Sequence, residues 1–178
     1  ARTTESQVHR QLVSGLSMPI GFKNGTHGNI DICCDAINSA KNKHCFMGIN
    51  DDGNACIINT TGNYSCHTIL RGGKNAPNYR SNSIDITKKK LEFKNIIPRI
   101  IVDCSHDNSE KDHRNQKFVF ENVIKQIING EDSIIGLMLE SNINTGKQKL
   151  EYLGKNNLKR GNSITDGCID FNTTKDII

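Results

Sequence analysis

Short apolar runs recur along the chain, and each ends in turn-forming or charged residues. The runs cover residues 19–22, 45–49, 67–70, 99–103 and 134–139. Apolar runs of this length, bounded by turn residues, are typical of buried strands. The sequence therefore predicts a sheet built from short, buried strands.

Segments with helical spacing lie between these runs. Residues 4–15, 29–40 and 117–129 carry apolar positions three or four apart, and Gly130 closes the last segment. Residues 54–65 predict a small hairpin that turns at Gly62 and Asn63. Strands that alternate with helices favour an α/β fold with a parallel sheet and helical crossovers.

Composition and charge narrow the function classes. A chain of 178 residues with 35% hydrophobic residues suits one domain, and no stretch approaches the ~18 apolar residues of a membrane span. The net charge of +4 is small and mixed, which favours anionic small molecules over nucleic acid. The lysines at 88–90 predict a solvated surface run, and the 5% aromatic content argues against a nucleic-acid binder.

The cysteines and the start of the chain indicate a compartment. Seven cysteines form an odd set without regular spacing, which disfavours a disulfide framework and favours a reducing environment. No basic-then-apolar leader opens the sequence. We expect a cytoplasmic location.

Charged residues follow the predicted strands at one edge. Lys23, Arg71, His106 and Glu140 come at or after strand ends, with Arg2 and Asp166 in flanking loops. Since the carboxyl ends of parallel strands meet at one edge, and ligands bind there, we expect one shared site. The alternative for each residue alone is an ordinary surface position.

Two chemistries divide this set. The three cations Arg2, Lys23 and Arg71 predict a polyanionic substrate, because Arg forks match phosphate and carboxylate oxygens while Lys offers a point charge. One imidazole with two carboxylates, from His106, Glu140 and Asp166, suits Mn²⁺, Fe²⁺ or Co²⁺. A hydrogen-bonded histidine with two ordinary carboxylates remains the alternative to a metal site.

Cys104 stands two residues before His106. This spacing allows a Cys-His nucleophile pair, but a buried thiol lining the site is the favoured interpretation.

Several motifs, in order along the whole chain, resemble those of the type I 3-deoxy-D-arabino-heptulosonate 7-phosphate (DAHP) synthases. They are Ala-Arg-Thr-Thr-Glu-Ser-Gln at 1–7, Gly-Phe-Lys-Asn-Gly-Thr at 21–26, Ile-Leu-Arg-Gly-Gly-Lys at 69–74, Asp-Cys-Ser-His at 103–106, Gly-Leu-Met-Leu-Glu-Ser-Asn at 136–142 and Ser-Ile-Thr-Asp at 163–166. The resemblance covers the C-terminal half of that family's chain.

The resemblance implies a (β/α)₈ TIM barrel, a fold of about 250 residues. Residues 1–178 would form a partial barrel catalytic domain, with strands 5–8 and the loop after strand 4. The N-terminal half of the barrel would lie outside this sequence.

The resemblance also implies an activity. The family condenses phosphoenolpyruvate with erythrose 4-phosphate and water to give DAHP and phosphate, the first step of the shikimate pathway to aromatic amino acids. Arg2, Lys23 and Arg71 match its phosphoenolpyruvate-binding cations, and His106, Glu140 and Asp166 match ligands of its divalent metal. Lys23 and His106 would be the catalytic residues. A fourth ligand, a Cys, and a Lys-Pro-Arg motif belong to the family's other half.

Further expectations follow from the resemblance. A full-length chain would form a homo-oligomer and could take an aromatic amino-acid effector, with neither nucleic acid nor a membrane as a partner. The alternative is a non-catalytic remnant or half-barrel that acts only by association and is inactive as the isolated chain.

Overall fold

The computed structural model describes residues 4–150 and 155–178. Its strands are β1 (Gly21–Lys23), β2 (Cys45–Ile49), β3 (Ala55–Asn59), β4 (His67–Leu70), β5 (Ile100–Asp103) and β6 (Ile134–Met138). Its helices are α1 (Gln7–Ser14), α2 (Asp31–Ala40), α3 (Ser81–Phe93), α4 (Gln116–Ile128) and α5 (Phe171–Ile177), with 3₁₀ turns at His113–Asn115 and Lys155–Asn157.

Four strands form the main sheet in the order β1-β4-β5-β6. All three pairings are parallel, with Gly21 opposite His67, Thr68 opposite Ile100 and Ile101 opposite Gly136. Helix α3 connects β4 to β5, and α4 connects β5 to β6. The predicted parallel sheet with helical crossovers is confirmed.

The apolar run at 45–49 is not a buried strand of this sheet, so that prediction is wrong. It forms β2, which pairs antiparallel with β3 in a separate two-stranded ribbon. Met47 is 80% exposed and Ile57 is 68% exposed. A run of apolar residues does not show which strand it will pair with. The run is exposed because a two-stranded ribbon has too few strands to bury both of its faces.

The predicted hairpin at 54–65 is also placed wrongly. The turn between the two strands lies at 50–54, where Asn50 Oδ1 accepts hydrogen bonds from the amides of Asp52 and Asn54. Gly62 instead lies in the segment that follows β3, with φ +88°, and a Cβ added there would clash with the Lys41 carbonyl. Asparagine is a typical turn-forming residue, and Asn50 forms this turn. The prediction had placed the turn at Gly62 and Asn63.

Helix α3 was not among the predicted helices, and it carries the lysine run. Lys88 Nζ lies 3.0 Å from Glu131 and Lys90 Nζ lies 2.9 Å from Asp31. The run thus forms ion pairs on the outside of the protein, in agreement with the predicted surface role.

The core lies between the sheet and the helices. Leu70, Ile100 and Val102 project from the strands and are fully buried, together with apolar residues of α2, α3 and α4. Each such side chain contributes roughly 1.5–3 kcal/mol when removed from water. This packing fixes the helix-facing side of the sheet and leaves its carboxyl edge for polar groups. In the described part of the chain, no helix combines the length and apolarity needed to cross a membrane.

Candidate active site at the carboxyl edge of the sheet

A cavity of about 340 Å³ opens at the carboxyl ends of the main strands. It is lined by five of the six predicted site residues, which are Lys23, Arg71, His106, Glu140 and Asp166. The sixth, Arg2, lies outside the described residues. The parallel sheet brings Lys23, Arg71, His106 and Glu140 together because each lies at or just after the end of a strand at the same edge.

A cluster of metal-ligand atoms lies within this cavity. One atom from each of His106, Glu140 and Asp166 lies within 4.8 Å of the others. His106 Nε2 lies 3.6 Å from Glu140 Oε1. The amide of Ile169 donates to the Glu140 carbonyl at 3.1 Å, which brings the 163–169 segment and its Asp166 beside β6.

The electrostatics of this cluster fit a divalent cation. Burial raises the pKa of Glu140, and the nearby Asp166 and Asp103 carboxylates raise it further, against the opposing effect of His106. A divalent ion would remove the repulsion between the carboxylates. One imidazole nitrogen with carboxylate oxygens is a donor set that suits Mn²⁺, Fe²⁺ or Co²⁺. Within the described residues no cysteine thiol belongs to the cluster.

Asp103, the last residue of β5, is fully buried behind the cavity. Its Oδ2 lies 2.6 Å from Lys23 Nζ and 2.9 Å from His106 Nδ1. Its Oδ1 accepts from the Ser105 amide at 3.0 Å and from Ser105 Oγ at 2.6 Å. Burial favours the neutral acid, but the bonds from His106, Lys23 and Ser105 outweigh it and hold the pKa of Asp103 well below its usual range.

His106 sits on a strained backbone. Its φ is +56°, a left-handed conformation that costs a non-glycine residue roughly 1–2 kcal/mol. The Lys111 amide and Ser109 Oγ donate to the His106 carbonyl at 2.8 Å and 3.1 Å. These bonds hold the turn that directs the imidazole towards Glu140.

Three buried asparagines hold the loop that carries Arg71. Asn24 Oδ1 accepts from the Arg71 amide at 2.8 Å, and Asn78 Oδ1 accepts from the Gly72 amide at 2.7 Å. The Asn78 amide in turn donates to Asn108 Oδ1 at 2.8 Å. Because all three side chains are buried and bonded, the loops after β1, β4 and β5 are fixed relative to one another.

The two described cations of the predicted set differ in their surroundings. Lys23 is paired with Asp103, whereas Arg71 Nε is buried and has no hydrogen-bond partner among the described residues. An unsatisfied buried donor costs about 1–3 kcal/mol, and an anion in the cavity would offset that cost. Lys111 and Lys147 also line the cavity, although the sequence did not single them out.

Comparisons with known proteins agree with this arrangement. The family model described as the DAHP synthetase I family matches residues 1–178. The chain belongs to the DAHP synthetase I family.

Individual relatives within this family are similar over the whole chain. A phospho-2-dehydro-3-deoxyheptonate aldolase of Alternaria alternata is 51% identical over 178 residues, which are 100% of this chain and 48% of that protein. The tyrosine-inhibited enzyme of Candida albicans is 52% identical over 181 residues, covering 100% of this chain and 49% of its own length. The Tyr-sensitive enzyme of Escherichia coli is 49% identical over 174 residues, covering 98% of this chain and 48% of its own.

A solved structure extends the similarity to the fold. The structure of a phospho-2-dehydro-3-deoxyheptonate aldolase from Francisella tularensis matches with a TM-score of 0.91 and 42% identity, over 99% of this chain and 51% of that one. The chain therefore spans about half the length of the relatives that it matches.

Two buried residues of this DAHP synthetase I family member were missed as site residues. Asp103 begins the Asp-Cys-Ser-His motif at 103–106. As a charged residue at the end of an apolar run, it could have been predicted as a site residue from the sequence. Gln116 opens α4, is fully buried, and binds both backbone groups of Glu140: the Glu140 amide donates to its Oε1 at 2.8 Å, and its Nε2 donates to the Glu140 carbonyl at 3.1 Å. No sequence signal marks this long-range pairing.

The favoured interpretation of Cys104 holds only in part. The thiol is fully buried, but it packs in the core and is not among the residues that line the cavity. Burial, with a further contribution from the Asp103 charge, raises the pKa of Cys104 to about 12. A nucleophilic Cys104-His106 pair is therefore not formed.

Proposed function

We propose that this chain is part of a metal-dependent DAHP synthase. The enzyme condenses phosphoenolpyruvate with erythrose 4-phosphate and water, and releases DAHP and inorganic phosphate. The observation that carries this proposal is a cavity in which Arg71, whose Nε has no hydrogen-bond partner among the described residues, and a second cation, Lys23, lie beside the His106, Glu140 and Asp166 cluster.

The cationic residues of the cavity would bind the anionic substrate. Lys23 and Arg71 would hold the phosphate and carboxylate of phosphoenolpyruvate, with Arg2 as a third cation carried over from the family resemblance. Phosphoenolpyruvate has several anionic oxygens, and a guanidinium fork beside a point charge matches them. Holding two reactants in register can contribute roughly 7–11 kcal/mol to lowering the barrier.

His106, Glu140 and Asp166 would hold the divalent ion. When bound, the ion supplies Lewis-acid polarisation of the sugar aldehyde. In the proposed reaction the enol carbon of phosphoenolpyruvate forms a bond to the aldehyde carbon, whose oxygen takes up a proton. Water adds at the cationic carbon left on phosphoenolpyruvate and loses a proton, and the bond from that carbon to the phosphate oxygen breaks, which releases inorganic phosphate. Lys23 and His106 are the proposed catalytic residues because both face this space.

We extend the fold proposal in the same way. The parallel sheet and its helical crossovers are consistent with strands 5–8 of a (β/α)₈ barrel and with residues 1–178 as its C-terminal half. A fourth metal ligand, a Cys, and a Lys-Pro-Arg motif would come from the other half. A homo-oligomeric full-length enzyme in the cytoplasm is proposed with it, and the relatives named as Tyr-sensitive or phenylalanine-inhibited support an aromatic amino-acid effector.

The experiment is a metal-dependence assay on the full natural protein that contains this chain. Phosphoenolpyruvate consumption and phosphate release should stop after chelation and return with Mn²⁺, Fe²⁺ or Co²⁺. Glu140→Gln should abolish turnover, because it removes a ligand charge. The matched control Glu121→Gln, an exposed glutamate on α4 beside Lys117, should retain it. Turnover that survives chelation, or a fully active Glu140→Gln variant, would contradict the proposal.

The second candidate, a half-barrel that acts only by association, is favoured by one observation. The metal cluster formed by the described residues contains three ligands and no cysteine. Assaying the 178-residue chain alone and then with its complementary half tests this candidate. Activity only in the mixture supports association, and metal-dependent turnover by the chain alone excludes it.

A further inference from the structure

We propose that Asp103 is a positioning residue that fixes the proton of His106 on Nδ1 and anchors Lys23, so that the metal and anion sides of the cavity depend on one buried carboxylate. This inference rests on the metal role proposed for His106. It concerns the arrangement of the chain's own groups before any ligand binds.

The proton position follows from counting donors. The Asp103 carboxylate only accepts hydrogen bonds. Ser105 Oγ has one proton, and the 2.6 Å bond to Asp103 Oδ1 uses it. His106 Nδ1 lies 2.7 Å from Ser105 Oγ and 2.9 Å from Asp103 Oδ2. With both neighbours acting as acceptors there, Nδ1 must carry the proton.

The consequence appears at the other ring nitrogen. A neutral imidazole with its proton on Nδ1 presents a lone pair at Nε2, which is the form that binds a metal. Nε2 is the atom that lies 3.6 Å from Glu140 Oε1, on the cavity side. The Asp103 carboxylate, by holding the proton on Nδ1, thus leaves Nε2 of His106 free to bind a metal ion.

Lys23 shares the same carboxylate oxygen. Its Nζ and His106 Nδ1 both approach Asp103 Oδ2, while Ser105 occupies Oδ1 with two bonds. The Asp103 side chain is fully buried, so water does not replace a donor that is lost. Removing its charge should therefore disturb both the imidazole and the ammonium group.

The first test uses the wild-type full natural protein without metal. A long-range ¹H–¹⁵N spectrum of histidine-labelled protein, recorded where the ring is neutral, should show His106 protonated on Nδ1 and bare on Nε2. His106→Asn supplies the assignment. A ring protonated on Nε2 overturns the proposal, and this readout does not depend on whether any Asp103 variant folds.

The second test measures ligand affinities of variants. Asp103→Asn should weaken Mn²⁺ binding, followed by electron paramagnetic resonance, by about 10–100-fold, the usual effect of losing such an outer partner. Phosphoenolpyruvate binding, measured by calorimetry, should weaken as well. Ser105→Ala should give smaller losses of both. The matched control Asp31→Asn removes a half-exposed surface partner of Lys90 and should leave both affinities within twofold of wild type.

The outcomes separate the two proposals. A folded Asp103→Asn protein with wild-type Mn²⁺ and phosphoenolpyruvate affinities overturns the positioning role. A wild-type protein that binds no divalent ion instead overturns the proposed function, while the histidine spectrum still decides where the proton lies.

Discussion

A methyl group added at Gly72 would meet the backbone of the next loop. Gly72 has φ +76°, and a Cβ there would lie 2.5 Å from the Asn108 amide nitrogen and 2.6 Å from the Asp107 carbonyl carbon. Real Cβ atoms essentially never approach a non-bonded atom this closely, and backbone atoms are less able to move aside than the end of a flexible side chain. Gly72→Ala therefore forces apart the loops after β4 and β5.

The loss of stability expected for Gly72→Ala has two parts. The left-handed conformation costs an alanine roughly 1–2 kcal/mol, and forcing an extra carbon into a packed region costs about 1–3 kcal/mol more. Gly130 allows the conformational cost to be measured without the steric cost, because its φ is +97° but a Cβ there would have no atom within 4 Å. Gly130→Ala should carry the conformational cost alone. We expect Gly72→Ala to lower the free energy of unfolding by about 2–5 kcal/mol.

The assay is thermal unfolding of both variants in the full natural protein, where each kcal/mol moves Tm by about 2–4 °C for domains of 150–250 residues. Gly72→Ala should also raise KM for phosphoenolpyruvate, since Gly72 adjoins Arg71, whereas Gly130→Ala should not. Equal changes in Tm for the two variants, with an unchanged KM, would refute the steric argument.

Three further predictions concern single side chains. Arg71→Lys should raise KM for phosphoenolpyruvate about tenfold or more, because the planar fork is lost while the charge remains; an unchanged KM would show that Arg71 does not bind the anion. Gln116→Leu should lower Tm and weaken Mn²⁺ binding, since the Glu140 amide loses its acceptor at a cost of about 1–3 kcal/mol, while the Glu140 carbonyl keeps the Ile169 amide as a donor; wild-type Mn²⁺ affinity would argue against this positioning. In iodoacetamide labelling at pH 8, read by mass spectrometry, exposed Cys45 should react in the folded protein. Cys66 should react only on unfolding, because burial raises its pKa to about 11 and thiolate forms only as pH approaches that value; equal labelling would contradict its burial.

Local patterns were sufficient where an element and its neighbours are set by short-range chemistry. The apolar run at 134–139 predicts β6, which the structure places at Ile134–Met138. The stripe at 117–129 predicts α4, where Val119 and Val123 are buried. Such patterns failed at 45–49, because the residues of a strand do not show which other strand it pairs with. They also missed α3, whose polar composition hides the few buried positions Ile84, Thr87 and Leu91.

The sequence by itself determined the alternation of strands and helices, the charged residues at strand ends, and the family to which the motifs point. Only the tertiary structure decided that Asp103 bonds both Lys23 and His106, and that Gln116 holds Glu140 from 24 positions away along the chain. The Lys23–Asp103 and Gln116–Glu140 contacts join residues far apart in sequence, and their energies come from burial and geometry that exist only after the strands pack side by side.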